Sequence, residues 1–309
     1  MTFQQLEYIV AVDEYRHFVN AATACGVTQS TLSSTISKLE QEIDVVIFDR
    51  SKHPIEPTVL GQRIINQAKV ILHNSQQLRD LVTNEKSSDK GHLLLGIIPS
   101  VAPYLYPSMA RCLKDNFPNI HTSVTEAEPD LLLERVQRSE LDMAIVASSD
   151  IKDTNLLEIE LFTERFMLYT SPASSLWSRE WIRPEEMMSG DMWSLRSFHD
   201  RYPQLTPFAH REDFHTSTFD NGNLSTLIHL VNINGGFTIL PELMRRVLTP
   251  EEQRNMKSIQ GPKFFRTISL VIRQDYMRER LLNIVADTVK RCVPAEMLNT
   301  RLQKYKITL

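Results

Sequence analysis

The sequence predicts an α/β protein preceded by a small, largely helical N-terminal domain and a long connecting helix. Three observations predict it. Residues 1–57 carry apolar side chains at helical spacing in short blocks, one of which stops at Gly26. Residues 58–90 are free of proline and place a residue suited to a buried stripe every three or four positions. From residue 91 onward, short apolar runs alternate with helical patterns, the order expected of parallel strands with helices between them.

The bulk numbers agree with such a chain. A length of 309 residues exceeds one typical domain, so two or three folding units are expected. Hydrophobic residues make up 42% and charged residues 23%, and no run approaches the ~20 apolar residues needed to span a bilayer. A membrane is therefore not an expected partner. The opening segment MTFQQLEYIV lacks the basic start and apolar core of a secretory signal, and Cys25, Cys112 and Cys292 are few, odd in number and far apart. A reducing cytoplasm with free thiols is the expected setting.

The first apolar set, Phe3, Leu6, Ile9, Val10 and Val12, predicts a helix to about Tyr15. Residues 18–25 form a second, short helix that ends at Gly26, which suits the left-handed residue after a helix. A third helix opens at Thr28, a plausible cap, and buries Leu32, Ile36, Leu39 and Ile43. Two helices joined by a tight glycine turn make a helix-turn-helix. The opposite face of the third helix holds Gln29, Ser30, Thr31, Ser33, Ser34, Ser37 and Lys38. Short polar groups of this kind keep a helix slim enough for the major groove and offer hydrogen bonds to bases and phosphates. The same face would also suit plain solvation.

Residues 18–61 resemble the LysR family of bacterial transcription regulators. The matching positions are Phe18, Ala21, Ala22, Val27, Thr28, Gln29, Ser30, Leu32, Ser33, Ile36, Leu39, Glu40, Phe48 and Arg50, followed by Thr58 and Gly61. The resemblance implies a winged helix-turn-helix over residues 1–58 that binds double-stranded operator DNA. Cys25 and Asp44 depart from the pattern, and Pro54 and Pro57 sit in the implied wing. Arg50, Lys52 and His53 are the candidate phosphate contacts there, although Arg50 could instead pair with Glu40 or Asp49. Residues 1–60 hold four Lys/Arg against eight acids in a chain of net charge -4, so sequence-independent DNA affinity should be weak for a monomer.

In the connecting segment, Leu60, Ile64, Ala68, Ile71, Ser75, Leu78 and Val82 follow a nearly heptad rhythm. A helix of about 30 residues, ~45 Å long, cannot bury such a stripe against itself. In LysR proteins the corresponding helix pairs two subunits, which implies a homodimer through Leu60, Ile64, Ile71 and Leu78 and a homotetramer through the second half. The linker is placed at residues 59–90, with a polar hinge over 84–91.

Residues 91–309 are expected to bind an effector. Strands are predicted at 93–98, 120–125, 143–146, 165–170, 236–240 and 267–272, and helices at 131–139, 225–234 and 277–292. The resemblance implies two Rossmann-like subdomains similar to type 2 periplasmic binding proteins, one of residues 91–163 and 268–309, the other of 164–267. Ligands of such sheets sit beyond the carboxyl ends of strands, where helix N-termini offer free N–H groups. The effector candidates carried over by position are Ser100, Val101, Pro129, Ala147, Ser148, His199, Asp200, Phe219 and Asn223, each equally consistent with core or loop. Trp177, Trp181 and Trp193 are expected to pack the second subdomain.

Within the family the chain resembles the OxyR subgroup, in residues 6–8, 16–18, 98–105 and 126–127. That subgroup uses two cysteines of the second subdomain, yet no cysteine occurs here between Leu113 and Arg291. An intramolecular disulfide sensor is therefore not expected, and an unidentified small molecule is. RNA polymerase would be a further partner of an activator. An enzyme would need a nucleophile, base or metal constellation, and none of the usual motifs is present: no Gly-x-Ser-x-Gly, no His-Glu-x-x-His, no Cys-x-x-Cys, and no metal spacing among nine histidines. No catalytic residue, metal or cofactor is expected. The rival readings are a solute-binding protein, for which residues 1–90 would be superfluous, and a thiol-based redox sensor.

Overall fold

A computed structural model describes residues 1–84, 91–151, 155–188, 191–195, 216–219, 223–261, 264–304 and 306–307. The chain divides into two compact units, Met1–Ser88 with Gln137–Glu140, and Asp89–Val136 with Leu141–Leu309.

The first unit begins with α1 (Phe3–Tyr15), whose capping box is Thr2 and Gln5: the Gln5 amide donates to Thr2 Oγ1 at 3.2 Å and Thr2 N donates to Gln5 Oε1 at 2.7 Å. Helix α2 (Phe18–Ala24) stops as expected, with Gly26 at φ 68°. Helix α3 (Gln29–Ile43) is capped by Thr28, which accepts from the Thr31 amide at 3.2 Å. The implied wing is present as an antiparallel pair, β1 (Phe48–Asp49) and β2 (Glu56–Pro57). Pro57 is tolerated because the pair is only two residues long and has an open outer edge. Leu6, Ile9, Val12, Ala21, Leu32, Ile36, Leu39 and Phe48 form one buried core with Ile65 and Ala68 of the next helix.

That helix, α4 (Val59–Asn84), does not wait for another subunit to cover it. Thr58 anchors its start, donating to Val46 O at 2.8 Å and accepting from the Gly61 amide at 2.9 Å. Gly61 is required there by close approach, since a Cβ at that position would lie 2.0 Å from the Ile47 carbonyl oxygen. Lys69 reaches back to the buried Asp13 of α1 at 3.0 Å. At about 100° per residue, Leu60, Ile64, Ile71 and Leu78 share a strip roughly 40° wide, while Gly61, Ile65, Ala68 and Leu72 centre about 90° further round. The second strip docks on the unit's own core. The expectation of one wholly unpartnered seam is corrected accordingly: Ala68 is buried, Ile64 and Ile71 are half-buried at the border of the docked strip, and Leu60 and Leu78 remain 47% and 59% exposed. Residues 1–58 and α4 fall into one compact unit. Most of the expected hinge lies outside the described residues.

In the second unit, β3 (Gly91–Ile97), β4 (Ile120–Glu126) and β5 (Met143–Ala147) are parallel, with α5 (Ala102–Asn116) and α6 (Pro129–Gln137) in the connections. Strands β8 (Met192–Leu195), β9 (Thr216–Phe219) and β10 (Phe237–Pro241) form a second parallel group, with α7 (Leu224–Asn234) before β10. Two strands make the sheet mixed rather than purely parallel. These are β6 (Leu156–Thr170) and β12 (Phe265–Arg273), antiparallel to each other, with β12 also antiparallel to β5 and β6 to β10. At ~3.3 Å per residue β6 is about 50 Å long, enough to run through both halves of the path β4-β3-β5-β12-β6-β10-β8-β9. The two crossovers between the subdomains are thus continuous strands, β6 and β12. The two short strands β7 (Trp181–Ile182) and β11 (Met256–Ile259) pair with each other, and β11 pairs with β6. Trp177 and Trp193 pack as expected, donating to Asn255 Oδ1 at 2.8 Å and Gly235 O at 3.0 Å, but Trp181 is 50% exposed.

Candidate nucleic-acid interface and ligand cleft

Leu32, Ile36 and Leu39 of the α3 stripe are fully buried and Ile43 is half-buried, and on the other face Gln29, Ser30, Thr31, Ser34 and Lys38 are exposed. Thr28 serves the helix first. Besides its cap bond it shares hydrogen bonds with Ser30 Oγ (3.0 Å) and Thr31 Oγ1 (2.8 Å), and Ser34 Oγ donates to Thr31 O at 3.1 Å. Arg50 from the wing crosses to α3, donating to Ser33 Oγ at 3.3 Å, Ser37 Oγ at 3.0 Å and Glu40 Oε2 at 3.0 Å. Its guanidinium also lies 5.3 Å from the Phe18 ring centroid. Of the alternatives open for Arg50, the pair with Glu40 is the one formed, and it draws Ser33 and Ser37 into the same contact. Glu40 in turn accepts from the Ile47 and Phe48 amides at 2.8 and 3.3 Å, so Arg50, Glu40 and the wing are one hydrogen-bonded unit. Lys52 pairs with Glu56 on the exposed wing, and His53 is exposed beside it.

In the second unit the parallel strands bring the sequence candidates to one edge. Ser100 and Val101 follow β3, Pro129 follows β4, Ala147 ends β5 and Ser148 follows it. Val101, Pro129 and Ala147 are buried; Ser148 Oγ shares a hydrogen bond with Ser269 Oγ of β12 at 2.7 Å. Phe219 ends β9, and Asn223 caps α7 by accepting from the Thr226 amide at 2.9 Å. His199, Asp200 and the Phe219 side chain lie outside the described residues.

Sequence reasoning missed the group behind Ser100. Arg266 of β12 donates from Nη1 to Ser100 Oγ at 2.7 Å and from Nη2 to Ser100 O at 3.0 Å. From Nε it donates to Glu164 Oε1 of β6 at 2.9 Å. Tyr104 OH of α5 donates to the same carboxylate oxygen at 2.6 Å, and burial followed by the charge of Glu164 pushes the phenol well above its ordinary range. Arg266, Glu164 and Tyr104 are all buried, and the second oxygen of Glu164 has no hydrogen-bond partner. The sequence signal was available for one of the two: Arg266 is the single charge in the run 264–272, whereas Glu164 stands next to Arg165 and close to Glu158 and Glu160. A charge is kept inside such a run only when it is paired. The network ties both crossover strands to the loop that opens α5. Among the described residues no group of three or more His, Cys, Asp or Glu could hold a metal ion.

Comparison with known proteins decides the assignment. Residues 3–62 match the bacterial regulatory helix-turn-helix of the LysR family, and residues 86–292 match the LysR substrate binding domain. The chain is a LysR-type transcription regulator. It is 33% identical to a hydrogen peroxide-inducible genes activator of Haemophilus influenzae over 94% of this chain and 98% of the relative. It is 31% identical to the DNA-binding transcriptional dual regulator OxyR of Escherichia coli over 88% and 90%. A full-length OxyR variant of Pseudomonas aeruginosa superposes with a TM-score of 0.82 at 27% identity, covering 97% of this chain and 98% of that one. CbnR, solved in complex with its target DNA, shares the fold at a TM-score of 0.64 and 19% identity over 95% and 100%. This LysR regulator accordingly joins a DNA-binding helix-turn-helix to an effector-binding domain, and its relatives are named as regulators.

Proposed function

We propose that this LysR regulator reads its operator through the N-terminal half of α3 and is controlled by a small molecule at the edge formed by Ser100, Val101, Pro129, Ala147 and Ser148. The observation that carries the reading is the division of α3 into a buried stripe of Leu32, Ile36 and Leu39 and an exposed polar face of Gln29, Ser30, Thr31, Ser34 and Lys38. Ser30, Thr31 and Ser34 are short, and Lys38 is the one cation in the set. Base contacts belong to Gln29 and its neighbours; phosphate contacts belong to Lys38, Lys52 and His53. Arg50 supports α3 rather than seeking phosphate.

A dimer through the exposed Leu60 and Leu78 of α4 would present two such helices to a two-fold operator. A tetramer through the effector domains and, for an activator, contact with RNA polymerase are the further partners of this reading. No described helix is long and apolar enough to cross a membrane, and a DNA reader belongs in the cytoplasm. The ordering of Ser100 by Arg266 supports a ligand site there, because a hydroxyl held by a buried cation presents its lone pairs and proton in fixed directions.

The test is a mobility shift with the intergenic DNA upstream of the protein's own reading frame, against an unrelated duplex of equal length. A preference for the upstream duplex that disappears in Gln29→Ala supports the reading. Equal affinity for both duplexes, or a preference untouched by Gln29→Ala, removes it.

A further inference from the structure

A second concave site lies on the crossover strands, on the face turned away from Ser100. Register pairs Arg165 with Phe265 and Glu164 with Arg266. Successive residues of a strand point to opposite faces. The side chains of Glu164 and Arg266 go to the buried network at Ser100, so Arg165 and Phe265 open on the other side, where both are exposed. There they line a cavity of about 420 Å³ together with Met167, Trp181, Ser258 and Gln260. That volume falls within the range of small-molecule sites.

The lining is chemically specific. Trp181 and Phe265 are large aromatic side chains left 50% and 42% exposed, an arrangement that costs hydrophobic free energy unless something covers them. The Arg165 guanidinium lies 5.8 Å from the Phe265 ring centroid and makes no ion pair among the described residues. Among the described residues the lining carries no carboxylate to balance the positive charge of Arg165. Gln260 and Ser258 add an amide and a hydroxyl at the rim. A free guanidinium beside two exposed aromatic faces matches a flat aromatic ring bearing a carboxylate: the ring covers Trp181 and Phe265, and the carboxylate takes the paired N–H groups of Arg165.

We propose that this cavity is a second small-molecule site that binds a planar aromatic carboxylate on the reverse face of the crossover strands, separate from the edge at Ser100. A ligand seated there touches β6, β7, β11 and β12 at once, and β6 and β12 are the strands that join the two halves of the effector domain. Occupancy is thereby coupled to their relative position.

Isothermal titration of the full-length protein with 2-naphthoate tests it, with neutral 2-naphthamide as the charge control. One saturable site per chain with a Kd below about 1 mM is expected. Arg165→Gln should weaken naphthoate by about tenfold and abolish its advantage over the amide; Trp181→Ala should weaken both probes by about tenfold. Ser100→Ala should leave the binding unchanged. Arg165 and Trp181 are exposed, so their variants should keep the parent melting temperature; Ser100→Ala takes one partner from the buried Arg266 and is used at a temperature below its own cooperative melt. The absence of saturable heat, or naphthoate binding that survives both Arg165→Gln and Trp181→Ala, overturns the site. Binding lost in Ser100→Ala but kept in Arg165→Gln places the ligand at the other edge and overturns it equally.

Discussion

Arg266 holds Ser100 and Glu164 in one grip, with Nη1 2.7 Å from the Ser100 hydroxyl and Nε 2.9 Å from the Glu164 carboxylate. Neither charged group meets solvent, so each depends on the other. Arg266→Ala should therefore lower the stability of the effector domain by about 3–5 kcal/mol, since it leaves a buried carboxylate unpaired. Replacing both charges, Arg266→Leu with Glu164→Leu, should recover most of that loss. Urea unfolding followed by tryptophan fluorescence reads this domain selectively, because Trp177, Trp181 and Trp193 all belong to it. A cost for Arg266→Ala below about 1 kcal/mol would contradict the role given to the pair.

Gln29 and Arg50 should part company in DNA binding. Gln29 is exposed at the start of α3 and has no structural duty in the fold, so Gln29→Ala should cost about 1–3 kcal/mol of specific binding and leave the melting temperature alone. Arg50→Ala should lower the melting temperature, because Ser33, Ser37, Glu40 and Phe18 all lose their partner. Lys52→Ala should flatten the salt dependence of binding by about one unit of slope without changing sequence preference. Titrations at several salt concentrations separate the three outcomes. A Gln29→Ala variant with full specificity would sink the assignment of α3.

Leu78 and Ile65 sit on different strips of α4, and their substitutions should differ in kind. Leu78 is 59% exposed, so Leu78→Glu should dissociate subunits while the N-terminal fold persists. Ile65 is fully buried against the helix-turn-helix core, so Ile65→Ala should cost about 2–5 kcal/mol of stability. Light scattering and thermal melting of the two variants give the contrast. A parent protein that scatters as a monomer at micromolar concentration removes the seam altogether.

The legible parts of the chain were those where local chemistry and tertiary structure agree. Thr28, Gly26 and the Leu32-Ile36-Leu39 stripe predicted α2 and α3 because caps, turns and periodicity act within a few residues. The path of β6 was not legible beyond Arg165–Thr170, since residues 156–164 alternate apolar with Glu158, Glu160 and Glu164 and their pairing with β12 spans about a hundred positions. For the same reason Ser100 was found and Arg266 was not: one follows a strand end, the other reaches it across the sheet. The periodicity of α4 gave a stripe but not what covers it, and two neighbouring strips share one helical rhythm.

Cys112 and Cys292 supply the last expectation. They come from α5 and the helix Glu279–Cys292, and both line one groove with Arg246 and Arg291, so they are the cysteines whose pairing could mimic a thiol sensor. Burial, and then the neighbouring Cys112, push the Cys292 thiol up to about 11. A thiol so raised holds almost no thiolate at neutral pH, and the thiolate is the species that attacks peroxide. Iodoacetamide at pH 8 should therefore label Cys292 last of the three cysteines. The sign of the linkage follows: the folded state keeps this proton above the thiol's ordinary value of 9.0, so the stabilising contribution is complete below that pH and is lost as pH rises towards 11. Unfolding midpoints should fall across that window, and less so in Cys292→Ser. At neutral pH a Cys112→Ser, Cys292→Ser double variant should bind DNA like the parent, with and without peroxide. A peroxide response in the parent that vanishes in the double variant would restore a thiol switch in place of a bound effector.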